Sequence, residues 1–197
     1  MKTPDKIKAA ARKIIAEKGL DGLSMRKLAT VVGIKGPSIY KHFSGKEELL
    51  TILKSEAMAK LFDLAQSSVK GEDESEKRLL LMGEAYIQFS KSFKEEFKLL
   101  FFESSSLRES LDQEVPLSNP YGLLKAEFLA LLKGSSDLEI ETYSYGFWSL
   151  VHGMASLGIS HLKNFKVENI KVESPSTHFA EANILVMKNY LKGLTGY

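Results

Sequence analysis

The sequence predicts an all-α protein. No stretch alternates apolar and polar residues as a half-buried strand would, apolar residues recur at steps of three and four, and these runs are bounded by residue types that start and stop helices. With 197 residues, 44% hydrophobic and 26% charged, the chain can bury a real core.

The elements follow in order. Thr3 is the expected cap of a first helix with Pro4 at its first position; Ile7, Ala11, Ile14 and Ile15 form its inner stripe and Gly19 stops it. Ser24 caps a second helix, Leu23 and Leu28 form a hydrophobic staple, and Leu28, Val31 and Val32 are expected inside. Gly33 reverses the chain, and Gly36-Pro37 opens a third helix of about one and a half turns through Phe43. Ser44-Gly45-Lys46-Glu47 reads as a capping box for a fourth helix reaching about Ser68. Beyond the polar stretch 70–75, helices are expected at 76–92, through the Phe-rich segment 93–102, at 121–133, across 142–162, and from Ser174-Pro175 to about Leu194.

Charge divides the chain. Residues 1–46 hold eleven Lys/Arg against three Asp/Glu, a net +8, whereas residues 47–197 carry −6. A basic domain at 1–46 joined to an acidic body at 47–197 suggests a polyanion partner for the first segment alone. Within that segment two short helices are separated by a glycine turn, with Ile34, Ile39 and Phe43 able to face inward and Ser38, Lys41 and His42 on the opposite side. That is the requirement of a helix-turn-helix, which lays its second helix in the DNA major groove and here would bring Lys35, Gly36 and Pro37 to the base edges. A plain helical corner with solvated charges is the bland alternative; the agreement of charge with capping argues against it.

The stretches Leu23-Ser24-Met25-Arg26-Lys27-Leu28-Ala29, Val32-Gly33-Ile34, Ser38-Ile39-Tyr40-Lys41-His42-Phe43 and Lys46-Glu47-Glu48-Leu49-Leu50 closely resemble the DNA-binding domain of the tetracycline-repressor (TetR) family. The resemblance covers about the first 55 residues. It implies a three-helix DNA-binding domain followed by a helical ligand-binding and dimerisation domain, about nine helices in all, working as a homodimer that leaves a palindromic operator when a small molecule binds. By that resemblance Ser24, Ser38, Tyr40, His42 and Lys46 match positions that bind backbone phosphates. Lys35, Gly36, Pro37 and Lys41, with Arg26 reaching from the second helix, are the candidates for base or groove contacts. Gly36 departs from many relatives and offers no side chain to read a base. Tyr40 serves either phosphate or packing, and His42 either phosphate or a capping or stacking role.

In the body, Trp148-Ser149-Leu150-Val151-His152-Gly153 resembles the Trp-x-x-x-His-Gly pattern of one subgroup of the same family. Trp148 and His152 share a helix face, as lining of a cavity or as a packed core pair. Met82, Tyr86, Phe89, Phe102 and Tyr121 are the other candidates for an apolar or aromatic ligand, His152 being its polar contact. Small residues recur at Gly146, Ser149, Gly153, Ser156 and Ser160, a stripe suited to close packing against the last helix or its symmetry mate in a dimer; internal packing alone is the alternative.

Several classes lose support. With no cysteine, disulfides, thiolate zinc and cysteine nucleophiles are excluded and a reducing cytoplasm is the simplest setting. The first residues lack a signal-peptide run, so the mature chain is expected to begin there. The uncharged segment 142–162 is long enough for a membrane span, but its serines, tyrosines and histidines favour burial by protein. Ser-x-x-Lys occurs at Ser38 and Ser160 without the companion elements of acyl-serine enzymes. His152, His161 and His178 match no metal-ligand spacing. No catalytic residue, metal or cofactor is therefore expected, and no membrane partner. The remaining rival is a helical interaction protein whose basic end binds an acidic partner nonspecifically.

Overall fold

The computed structural model describes residues 2–101, 119–159 and 175–195, and all regular elements among them are helical. They are α1 (Thr3–Lys18), a 3-10 turn (Leu20–Gly22), α2 (Met25–Val32), α3 (Gly36–Ile39), α4 (Lys46–Ser68), α5 (Ser75–Ser92), α6 (Lys94–Phe101), α7 (Pro120–Leu131), α8 (Asp137–Ile159) and α9 (Pro175–Thr195). The chain divides into two compact units, the first holding residues 1–60 with α6, the second holding residues 61–92 with α7, α8 and α9.

In the first unit, Ile7, Ala11, Ile14 and Ile15 of α1 pack with Leu23, Met25, Leu28, Ala29, Ile39 and Phe43, and the cluster is completed by Leu49, Leu50 and Leu53 of α4 and Leu99 of α6. The basic segment 1–46 thus shares its core with the start of α4 and with a helix that returns fifty residues later. Three local expectations need correction. The carbonyl of Lys2 accepts from the amides of Asp5 and Lys6, so Lys2 takes the cap position and Thr3 is already helical. Val31 is 59% exposed; at roughly 100° per residue it points about 110° away from the mean direction of Met25, Leu28, Ala29 and Val32. The carboxylate that reaches back to the Ser44 amide and hydroxyl belongs to Glu48, not Glu47. Those two bonds hold the Glu48 carboxyl below its usual range.

The helix-turn-helix corner is built from local signals. Ser24 Oγ accepts from the Lys27 amide at 3.2 Å. Gly33 ends α2 at φ 76°, a left-handed conformation costly for any residue with a Cβ, and Ile34 then donates back to the Ala29 carbonyl at 2.9 Å. α3 is shorter than expected, regular only to Ile39, with turns through His42. Ionic tethers join α4 to its neighbours: Glu56 accepts from Lys8 at 2.6 Å and Arg12 at 2.5 Å, and Lys60 pairs with Glu96 at 2.9 Å while its ammonium lies 4.1 Å from the centroid of the Phe93 ring.

In the second unit α5 packs against both α7 and α8, with α9 laid over α5 and α8. Leu79, Met82, Tyr86, Phe89, Leu124, Phe128, Ile140, Phe147, Val151, Ala155, Met187 and Leu191 make the core. α9 can approach because two positions are glycine: a Cβ on Gly83 of α5 would run into the Met187 sulfur, and one on Gly146 of α8 into the Tyr190 hydroxyl. Arg78 organises the turn before α5, donating to the Val69 and Glu72 carbonyls and pairing with Glu127 of α7 at 2.8 Å. Removing either partner of this largely buried pair would strand the other charge. Ser136 and Glu139 form a reciprocal capping box at the start of α8. Among the described residues no helix is long and apolar enough to cross a membrane, the uncharged segment of α8 included.

Candidate functional site

The first candidate site is the outer surface of the helix-turn-helix. Ser24, Arg26, Lys35, Gly36, Pro37, Tyr40, Lys41 and His42 are exposed, and Ser38 and Lys46 half-buried. Ile39 and Phe43 point into the core between them, and Ile34 packs partly against it. Tyr40 is 57% exposed, so its ring is spent little on packing within this chain. A Cβ added at Gly36 would meet nothing within 4 Å, which leaves the backbone there open to close approach. The Lys46 ammonium donates to the Leu20 carbonyl at 2.7 Å, and Lys27 donates to the Gly22 carbonyl at 3.0 Å, so two cations pin the 3-10 turn. An ammonium carries three donors, which leaves Lys46 capacity for a phosphate beside the positive end of α4.

The second candidate site is a wall on α8. Trp148 meets Tyr121 of α7 edge-on with ring centroids 5.8 Å apart, Tyr145 at 6.1 Å and His152 at 5.9 Å. The Tyr86 hydroxyl lies 2.8 Å from His152 Nδ1. Burial pushes the Tyr86 hydroxyl well above its usual range and lowers the imidazole, so at neutral pH the bond joins two uncharged rings. The Tyr121 hydroxyl donates to Glu141 Oε1 at 2.6 Å, and Lys125 pairs with Glu141 Oε2 at 2.5 Å. Hydrogen bonds from Lys125 and Tyr121 hold that carboxyl low; burial and the same carboxylate hold the Tyr121 hydroxyl high.

The ligand candidates read from sequence therefore separate. Tyr86, Tyr121, Trp148 and His152 come together, while Met82 and Phe89 are buried in the core and Phe102 lies outside the described residues. Sequence reasoning missed Tyr145 and Glu141. Tyr145 stands three residues before Trp148 on α8 and could have been found by helical spacing; Glu141 could not, because its partners come from α7. The small-residue stripe also separates. Gly146 faces Tyr190 of α9, Ser149 is exposed, Gly153 has open space where a Cβ would stand, the Ser156 hydroxyl is enclosed, and Ser160 lies outside the described residues.

A basic helix-turn-helix head on an all-α body defines the class of protein. Residues 7–51 match the family model for bacterial regulatory proteins of the tetR family. The tetracycline repressor protein class D of Escherichia coli is 43% identical over 54 residues, 27% of this chain and 25% of the relative. An HTH-type transcriptional regulator of Bacillus subtilis is 30% identical over 81 residues, 41% of this chain and 42% of the relative. The chain's alignments with its curated relatives span 25% to 51% of their own length. The whole fold is shared more widely: a bacterial regulatory protein of the tetR family from Rhodococcus superposes with a TM-score of 0.69 at 18% identity, covering 95% of this chain and 96% of that one.

Proposed function

We propose that this protein is a transcriptional regulator that binds double-stranded operator DNA as a homodimer through α2 and α3, and that a small apolar or aromatic effector bound in the second unit releases it. The observation that carries the reading is the exposed basic surface of the helix-turn-helix, held by its own caps and core and matching the tetR-family domain in sequence. Regulation by a small molecule draws support from the aromatic wall and from the tetracycline repressor relatives, whose name carries that of a small molecule. A dimer through α8 and α9 draws support from apolar side chains left at the surface, Leu157 of α8 at 57% and Leu185 of α9 at 58% exposed, and from the exposed Ser149 and the open Gly153 on α8.

Selection of bound sequences from a random DNA pool tests the central claim. An inverted repeat with half-sites about one helical turn apart is expected. On that repeat, Lys46→Ala should weaken selected and random DNA alike, whereas Lys41→Ala should also relax discrimination at one position per half-site. Folded protein that enriches no motif would reduce the head to a nonspecific polyanion surface.

A further inference from the structure

Two lysines from different helices close on one short turn. Lys46, at the start of α4, donates to the Leu20 carbonyl at 2.7 Å, and Lys27, on α2, donates to the Gly22 carbonyl at 3.0 Å. Both carbonyls belong to the 3-10 turn Leu20–Gly22 and stand about 4 Å apart along its axis, at roughly 2.0 Å per residue. The Leu20 carbonyl does not need a lysine, since it already accepts from the Leu23 amide at 3.1 Å. Nor does a carboxylate draw the two cations together. Lys8, Arg12 and Lys60 of the same unit each hold a glutamate, whereas Lys27 and Lys46 pair with no carboxylate among the described residues, Asp21 of the turn included. Two ammoniums gathered on one turn without a counter-charge repel each other and attract an anion.

Resting on the operator reading above, we propose that Lys27 binds the DNA backbone beside Lys46, the two forming a phosphate seat on the 3-10 turn. Each ammonium has three donors and spends one on its carbonyl, so two remain on each for phosphate oxygens and no bond of the free protein has to break. The carbonyl bonds also fix both long side chains beforehand, which removes much of the ordering cost of binding. The turn itself is held against α1, because a Cβ on Gly22 would run into the Lys18 Cβ. Ser24, two residues past the turn, carries a further unspent donor: its oxygen accepts from the Lys27 amide, and its O–H donates to nothing among the described residues. Ser24 and Arg26 are exposed and Lys27 and Lys46 half-buried, so the seat lies at the edge of the outer surface of the helix-turn-helix. A contact of this kind positions the head on the duplex and reads no base.

Salt titration separates a phosphate contact from a brace of the turn. Binding of the full-length protein to its selected repeat and to random duplex is measured by fluorescence anisotropy from about 50 to 200 mM salt. Wild type is compared with Lys27→Gln, Lys27→Met and Lys27→Arg, each with its Tm. The two neutral variants should weaken selected and random DNA by the same factor, and the slope of log affinity on log salt should become shallower by about one per half-site, about two for the dimer. Lys27→Arg should keep the wild-type slope, because it keeps the charge and its donors. Neutral variants that lose affinity or Tm at the wild-type slope would make Lys27 a brace of the turn alone and overturn the proposal while leaving operator binding standing. Unchanged affinity at unchanged slope would overturn it as well. If the wild type binds neither DNA, the operator reading fails and the seat with it.

Discussion

The two units reach order by different physical means. In the first, the chain turns where a glycine and a serine cap instruct it to, and α4 is joined to α1 and α6 by ion pairs that solvent partly reaches. In the second, α9 is seated on two glycines and a tyrosine hydroxyl, and the wall of α8 is held by ring-edge contacts and a bond between neutral groups. The difference teaches where each unit is vulnerable. A head built from local signals tolerates change on its outer surface, while a body built from close approach does not tolerate added volume.

The largest expected effect tests that contrast directly. Gly146→Leu would drive a side chain against the Tyr190 ring, whose hydroxyl donates to the Tyr143 carbonyl at 3.1 Å; a loss of about 1–3 kcal/mol or more is expected by urea denaturation. Gly36→Leu faces open space, and its stability should stay within about 0.5 kcal/mol while selected-DNA affinity falls. Equal losses would erase the distinction between the units. Next is Gly33→Val, which forces a β-branched residue to φ 76°; a cost of about 1–2 kcal/mol is expected, with Gly33→Asn milder. A neutral Gly33→Val would mean that the corner does not depend on its left-handed turn.

Acid should separate the units by pH. Burial lowers the His152 pKa, so once pH falls below the unfolded value of about 6.5 the unfolded chain takes a proton that the folded one refuses. Stability is then lost from that point down toward the folded value, and His152→Phe should flatten the slope seen by Trp148 emission. In the head, partial burial pushes the Glu56 carboxyl up, but the hydrogen bonds and charges of Lys8 and Arg12 outweigh it and hold the group low. Its contribution is present above the unfolded carboxyl value of about 4.3 and disappears only as pH falls through the folded value. The smallest effect is Glu56→Gln, about 0.2–1 kcal/mol because the cluster is partly exposed; the difference from wild type should shrink as salt is raised. Salt-independence would indicate that the tether acts through packing.

The same contrast governs what could be read in advance. The head was legible almost residue by residue, because Ser24, Gly33 and Pro37 act through the backbone within a few positions of themselves. Val31 and Glu47 were misread for a local reason too: both are one helical step from the right answer, the direction of a short stripe and the carboxylate of adjacent Glu48. In the body the helices were legible and their partners were not. Nothing near Gly146 in sequence foretells Tyr190, and nothing near Tyr121 foretells Glu141.

The sequence by itself determined that the chain is helical, where most of its helices lie, and that its basic charge sits on a helix-turn-helix, because caps, glycine turns and apolar periodicity act over one or two turns of backbone. Only the tertiary structure decided which of the small residues on α8 face α9, which stay open, and which encloses an unpaired hydroxyl. Gly146, Ser149, Gly153 and Ser156 are near-equivalent as letters in a helical stripe. They differ only in what other segments of chain bring against them, and that depends on how the helices pack, which no local pattern encodes.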